Sequence, residues 1–208
     1  MKKYRDHYFL KAKQEQYPAR SVYKLKEIDK RFRIFKTGMR VLDLGAAPGS
    51  WSLGAAEKVG PEGFVLGADI QDTDTAFPDN ILFLRENVFE RSPEFETLLC
   101  EKGPFHVVMS DMAPFTTGHR GTDQARSAAL CEEALALALV CLIKGGSFVV
   151  KVFMGPDVKA LADSLRKHFS VVKSFKPSSS RSESMETFYV ALGYKGLPPP
   201  DPGDSIAG

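Results

Sequence analysis

No stretch of this chain is apolar for the ~18 consecutive residues that a membrane-spanning helix needs, so no span is expected. Its N-terminus, Met1-Lys2-Lys3-Tyr4-Arg5-Asp6-His7, is basic and polar and lacks the apolar centre of a signal peptide. Cysteine is scarce: Cys100, Cys131 and Cys141 are odd in number, widely spaced, and form no C-x-x-C pair. That pattern argues against a disulfide framework and against a zinc site, and fits core or near-core thiols in a reduced cytoplasm. The chain also lacks a strong net charge, which is only +2.

That small total hides an asymmetry. Residues 1–40 hold 13 Lys and Arg against 4 Asp and Glu, whereas the rest of the chain is mildly acidic. A basic segment on an acidic body suits a polyanionic partner, with a merely solvated basic helix as the bland alternative. With 208 residues at 43% hydrophobic content, the chain is long enough for one globular domain with a sizeable core.

Apolar spacing divides the chain into alternating elements. Val22, Leu25, Ile28 and Phe32 recur at helical intervals, with Ser21 as candidate N-cap. Strands are expected at Arg40–Leu44, Gly63–Ala68, Ile81–Leu84, Phe105–Ser110 and Gly146–Lys151. Helices are expected at about Ser50–Val59, Pro93–Glu101, Asp123–Ile143 and Pro156–His168. Two last strands, about Val171–Phe175 and Thr187–Tyr194, read as a closing hairpin. Alternating β and α elements imply a mostly parallel sheet covered on both faces. The proline-rich end from Gly196 can form neither ladder nor helix and is expected to be disordered.

The run Val41-Leu42-Asp43-Leu44-Gly45-Ala46-Ala47-Pro48-Gly49-Ser50-Trp51 is a strand, a glycine turn and a helix start. Glycines let backbone approach a ligand, and a helix N-terminus offers free N–H groups. The spacing is G-x-x-x-G, not the G-x-G-x-x-G of dinucleotide sites. Asp43 beside the turn would repel a diphosphate and attract an ammonium or sulfonium. This points to S-adenosylmethionine rather than NAD. Asp69 ends the next strand, 24 residues past Gly45, where an acid can accept hydrogen bonds from ribose hydroxyls.

Two further charges emerge from apolar strands. Asp111 follows Val107-Val108-Met109-Ser110, and Lys151 interrupts Phe148-Val149-Val150-Lys151-Val152-Phe153. An amine inside an apolar run is a candidate base, although it could also snorkel or pair with a carboxylate. Glu186 opens the last strand. The loop Ser178-Ser179-Ser180-Arg181 reads either as a phosphate contact or as a plain hairpin connector.

With these residues in this order the chain resembles the FtsJ/RrmJ family of RNA ribose 2′-O-methyltransferases over about Ala19 to Tyr194. The matching stretches are Ala19–Leu25, Asp43–Trp51, Ser110–Pro114, Gly145–Phe153 and Ser179–Tyr189. The resemblance implies an α/β, Rossmann-like methyltransferase fold, with a mostly parallel seven-stranded sheet, helices on both faces and a closing antiparallel hairpin. It implies a catalytic set Lys24, Asp111, Lys151 and Glu186, with Lys151 as base. It also implies S-adenosylmethionine as cofactor, held by Gly49, Trp51, Asp69, Asn87 and Asp111. Ser50 stands where the family usually has a second glycine, and Asn87 where it usually has an acid; an amide oxygen can still accept from an adenine amino group.

The implied reaction is methyl transfer to the 2′-hydroxyl of a uridine in large-subunit ribosomal RNA, in the cytoplasm, by a monomer. Transfer RNA as substrate, or a non-catalytic RNA-binding assembly module, are the alternatives. Residues 1–36 are read as a basic extension and helix serving RNA and the active site, 37–195 as the methyltransferase domain, and 196–208 as a tail.

Overall fold

The computed structural model describes residues 7–155, 158–181 and 184–196. Lys2, Lys3, the expected helix start at Pro156 and nearly all of the proline-rich tail lie outside these residues. The chain runs α1 (His7–Gln14), α2 (Val22–Phe32), β1 (Arg40–Leu44), α3 (Ser50–Val59), β2 (Phe64–Asp69), β3 (Ile81–Arg85) and α4 (Pro93–Lys102). It continues through β4 (Phe105–Ser110), α5 (Arg120–Cys141), β5 (Leu142–Phe153), α6 (Val158–His168), β6 (Phe169–Phe175) and β7 (Glu186–Tyr194).

The strands form one seven-stranded sheet in the order β3-β2-β1-β4-β5-β7-β6. Strands β1 to β5 pair in parallel, and β7 is antiparallel to both β5 and β6. The expected closing hairpin is therefore β6–β7, with β7 inserted beside β5. Val41, Leu42 and Leu44 of β1 and Val107, Val108 and Met109 of β4 are wholly buried, as central strands covered on both faces require.

Two apolar layers flank the sheet. One joins Leu42, Leu66, Val108, Phe148 and Val150 to α4, α5 and α6 through Phe95, Leu135, Ala138 and Leu165. The other joins Val41, Val65, Met109, Val149 and Phe188 to α2 and α3 through Leu25, Ile28, Trp51 and Ala55. Burying a side chain such as Phe188 contributes about 1.5–3 kcal/mol before entropy. Helix α2 is thus part of the main core. Helix α1, which its polar composition concealed, attaches to α2 through Ala12, Tyr17, Val22 and Tyr23.

Several boundaries differ from the sequence reading. Strand β5 begins at Leu142 rather than Gly146, and the preceding helix stops at Cys141. Leu142 pairs with Phe105, and a register shift before the Val107–Ser147 pair absorbs the two glycines. Strand β6 begins at Phe169 because that residue pairs with Tyr194. Ser21 holds the N-cap position of α2 in helical conformation and makes no side-chain capping bond. Cys131 and Cys141 are buried, but Cys100 faces outward on α4. Among the described residues no helix is long and apolar enough to cross a membrane.

Candidate active site

Side chains alternate between sheet faces with a period of two, and this gathers the charges. Val41, Val65, Met109 and Val149 belong to the layer under α2 and α3. Counting onward in steps of two reaches Asp43, Asp69, Asp111 and Lys151, on that same face at the C-terminal strand ends. Asp111 extends the β4 ladder by donating its N–H to Leu44 O at 3.2 Å. Because β7 runs the other way, its first residue, Glu186, reaches the same end opposite Phe153, while Lys151 lies opposite Phe188. Lys24 comes from α2, which covers this face.

Between β1 and β4 the sheet order reverses, and open α/β sheets bind ligands at such a switch point. A cleft of about 440 Å³ opens there, lined by Gly45, Ala47, Asp69, Asn87, Asp111, Met112 and Phe115 among others. Gly45 has φ +79°, and a Cβ on it would lie 2.7 Å from Met112 Cγ, so only glycine lets the two loops meet. Asp69 accepts hydrogen bonds from Ala47 N–H at 2.9 Å and Gln71 N–H at 2.8 Å, fixing both loops at the rim. Asn87 lines the cleft, its amide oxygen accepting from Phe89 N–H at 3.1 Å.

Asp43 shares this sheet face but is not among the cleft-lining residues. It is wholly buried; one carboxylate oxygen accepts from Ser52 Oγ at 2.6 Å, and the other has no hydrogen-bond partner. Burial, with the charges of Asp111 and Asp69 adding to it against the Ser52 bond, pushes its carboxyl up to about 7.

Gly49 and Trp51 are not among the cleft-lining residues. Gly49 is the N-cap of α3 at φ 107°, with Phe77 and Thr75 folded over it. Trp51 is buried, donates its indole N–H to Ser21 O at 2.9 Å, and packs its ring on Phe188. Ser50, the departure from the family pattern, accepts from Ala19 N–H at 2.7 Å and ties the glycine turn to the chain entering α2.

The four residues expected to be catalytic are brought together as two ion pairs. Lys151, 8% exposed, lies 2.9 Å from Asp111 Oδ1 and also donates to the Asp111 backbone carbonyl. Lys24 lies 2.5 Å from Glu186 Oε1 and over the Phe188 ring at 5.8 Å. Burial pushes the Glu186 carboxyl up, but Lys24, a hydrogen bond from Ser180 Oγ and the charge of Lys151 outweigh it and hold the group below its ordinary value.

Beside the Lys24–Glu186 pair a second cavity, of about 500 Å³, is lined by Arg20, Ser21, Lys24, Arg181, Ser184 and Glu186. The sequence reading passed over Arg20. It sits in the turn just before α2, four residues ahead of Lys24.

A cleft walled by carboxylates disfavours a diphosphate and suits a cationic nucleoside, the ligand preference of a Rossmann-like methyltransferase. Comparison with known proteins narrows this class. A model of the family described as FtsJ-like methyltransferase matches residues 17–194, and the chain belongs to that family.

Among its relatives is "Ribosomal RNA large subunit methyltransferase E" of Nitratidesulfovibrio vulgaris (strain DP4), 75% identical over 95% of this chain and 97% of the relative. The protein of that name from Oleidesulfovibrio alaskensis is 73% identical over 95% of this chain and 96% of the relative. A Plasmodium falciparum structure described as a ribosomal RNA methyltransferase superposes with TM-score 0.75 at 23% identity. It covers 87% of this chain and all of its own, and shows the shared fold.

The methyl donor of this enzyme class is S-adenosylmethionine, and the residues present fit it. Asp69, Glu86 and Asp111 line an acidic cleft suited to a cation that also carries ribose hydroxyls, and buried Asp43, close enough to feel the charges of Asp69 and Asp111, keeps one oxygen unpartnered.

Proposed function

We propose that this chain methylates the ribose 2′-hydroxyl of a uridine in large-subunit ribosomal RNA. The observation that carries this reading is the position of Lys151. Through Asp111 it adjoins the cleft, and its charge reaches Glu186, which lies two residues along β7 from its pairing partner Phe188 and lines the basic cavity. The names of the relatives that match this chain over nearly its whole length support ribosomal RNA as the substrate.

Asp69 would hold the ribose hydroxyls of the cofactor, Asn87 its adenine, Asp111 its methionyl end, and Gly49 and Trp51 the shape of the glycine turn. S-adenosylmethionine supplies an electrophilic methyl group on a sulfonium. A ribose hydroxyl is a weak nucleophile, so its proton must leave as it attacks. Lys151 Nζ, once deprotonated, accepts that proton. Asp111 anchors the amine from two sides and adds negative charge beside a cationic donor. Lys24 places positive charge near the developing alkoxide, and Glu186 keeps Lys24 in position.

Residues 1–36 then act as an RNA-facing segment and 37–195 as the catalytic domain, working as a cytoplasmic monomer. The test is transfer of labelled methyl groups to large ribosomal subunits, free ribosomal RNA and transfer RNA, with the modified nucleotide mapped. Label on a ribose of large-subunit RNA is the expected result. Label confined to transfer RNA, or to a base, overturns the reading.

A further inference from the structure

The turn that follows β3 is built around one carboxylate. Glu86 lines the cleft yet is 7% exposed. Its N–H donates to Asp69 O at 2.7 Å and carries the β2–β3 pairing one residue past Arg85. Its side chain turns back under the chain. Oε1 accepts from Asn87 N–H at 2.9 Å, both oxygens lie 3.3 Å from Ser92 N, and Oε2 accepts from Ser92 Oγ. Ser92 in turn caps α4, its Oγ accepting from Phe95 N–H at 3.2 Å.

The segment closed in this way, 87–92, brings Asn87, Val88 and Phe89 to the cleft. Within it Glu90 donates its N–H to Asn87 O at 2.9 Å, and Phe89 donates to Asn87 Oδ1 at 3.1 Å. Glu86 joins the two ends of the segment to each other and, through its own N–H, to the strand that bears Asp69. A carboxylate accepts at both oxygens and so takes all of these donors; an amide has one oxygen and would set an NH2 group against the rest. Asn87 stands where the family usually has an acid. The acid of this turn is instead Glu86, one residue earlier and directed at backbone.

We propose that Glu86 is a positioning residue for cofactor binding: it holds the turn that carries Asn87, Val88 and Phe89 in place beside Asp69, at the adenine end of the cleft. It acts through that turn and not by touching the cofactor. This rests on the assignment of the adenine to Asn87 above and names what fixes that end of the cleft. A turn formed in advance adds no ordering cost when the ligand arrives. Its loss therefore weakens binding of the adenosine end and leaves the chemical step untouched.

The test compares wild type with Glu86→Ala, Glu86→Gln and, as a control, Leu99→Ala, a cut into the core beneath the same helix α4. Calorimetry on each full-length protein measures S-adenosylhomocysteine and 5′-methylthioadenosine, which share the adenosine and differ in the amino-acid end. The kcat and the cofactor KM are measured on large ribosomal subunits, and urea unfolding records stability. For Glu86→Ala we expect both dissociation constants and the cofactor KM to rise roughly tenfold, with kcat within about twofold, the pattern of lost uniform binding. Glu86→Gln, which keeps one acceptor oxygen, recovers part of the affinity. Leu99→Ala loses stability but binds both ligands within about twofold of wild type.

A Glu86→Ala protein with wild-type affinity for both ligands overturns the role of Glu86 while leaving the proposed reaction standing. A loss confined to S-adenosylhomocysteine also overturns it, because the effect then lies at the amino-acid end. An equal loss in Leu99→Ala overturns it by showing that any loosening of α4 weakens the cleft. The expected losses in a protein whose wild type methylates no ribosomal RNA support the role of Glu86 and overturn the reaction. A wild type that binds neither ligand overturns the cofactor cleft and the role of Glu86 together.

Discussion

Lys151 is tied to Asp111 twice, through a carboxylate oxygen at 2.9 Å and through the backbone carbonyl of the same residue. An amine fixed at both points cannot swing, and its remaining direction is away from Asp111. One acid thereby does two things: it walls the cleft at the sheet's switch point and holds the amine proposed as the base.

Replacing Lys151 by alanine should reduce methyl transfer by ~10²–10⁴-fold, the usual worth of a general base. Cofactor and RNA affinity should be nearly unchanged, because the lost interaction is made chiefly in the transition state. Lys151→Arg should fail almost as badly, since a guanidinium keeps its proton near neutral pH. Single-turnover rates of both variants decide this: near-normal turnover by the arginine enzyme would show that Lys151 contributes only charge.

Removing Lys24 alone leaves Glu186 mostly buried without its ion-pair partner. Lys24→Met should cost about 1–3 kcal/mol of stability, and adding Glu186→Gln should recover part of it. Urea unfolding of the two single variants and the double variant measures the coupling. Strictly additive losses would mean that the 2.5 Å pair is not energetically linked.

Asp69→Ala should weaken S-adenosylmethionine binding by about 1.5–3 kcal/mol, the worth of hydrogen bonds to a charged acceptor. Part of that loss will come through the rim, since Asp69 also fixes Ala47 and Gln71. Calorimetry on variant protein of wild-type secondary structure is the check; unchanged affinity places the ribose elsewhere.

Asp43 predicts an unusual pH dependence for the ligand-free enzyme. Its folded value, about 7, lies above the ordinary 3.8. Between these values the folded state holds more protons than the unfolded one, so stability falls as pH rises through this window. The contribution is fully present below about pH 4 and lost by about pH 7. Asp43→Asn should flatten this part of the curve. Parallel pH profiles of unfolding free energy for wild type and variant would show that Asp43 is not the group responsible.

The charged residues of the site were legible because each interrupts or ends an apolar run. Asp43, Asp69, Asp111 and Lys151 stand out against valine, leucine and methionine, and each lies two residues (four for Asp69) past, and so shares the face of, a core residue under α2 and α3. Trp51 was different. The glycine turn announced a ligand loop, yet its ring is spent on Phe188 and its N–H on Ser21, partners 137 and 30 positions away. Helix α1 was not legible, since its polar sequence folds only against the aromatic side of α2.

From the sequence alone came the alternation of strands and helices, the sheet's double burial, the glycine turn and the identity of the charged groups. These follow from local periodicity and from the rarity of charge in apolar runs. The tertiary structure decided which charge meets which: Lys151 with Asp111, Lys24 with Glu186, and Arg20 beside Arg181. Those pairings depend on strand order, on the antiparallel return of β7, and on the packing of α2 over the sheet. Contacts between residues 40 to more than 160 positions apart are set by how whole elements bury their apolar faces, which no local pattern encodes.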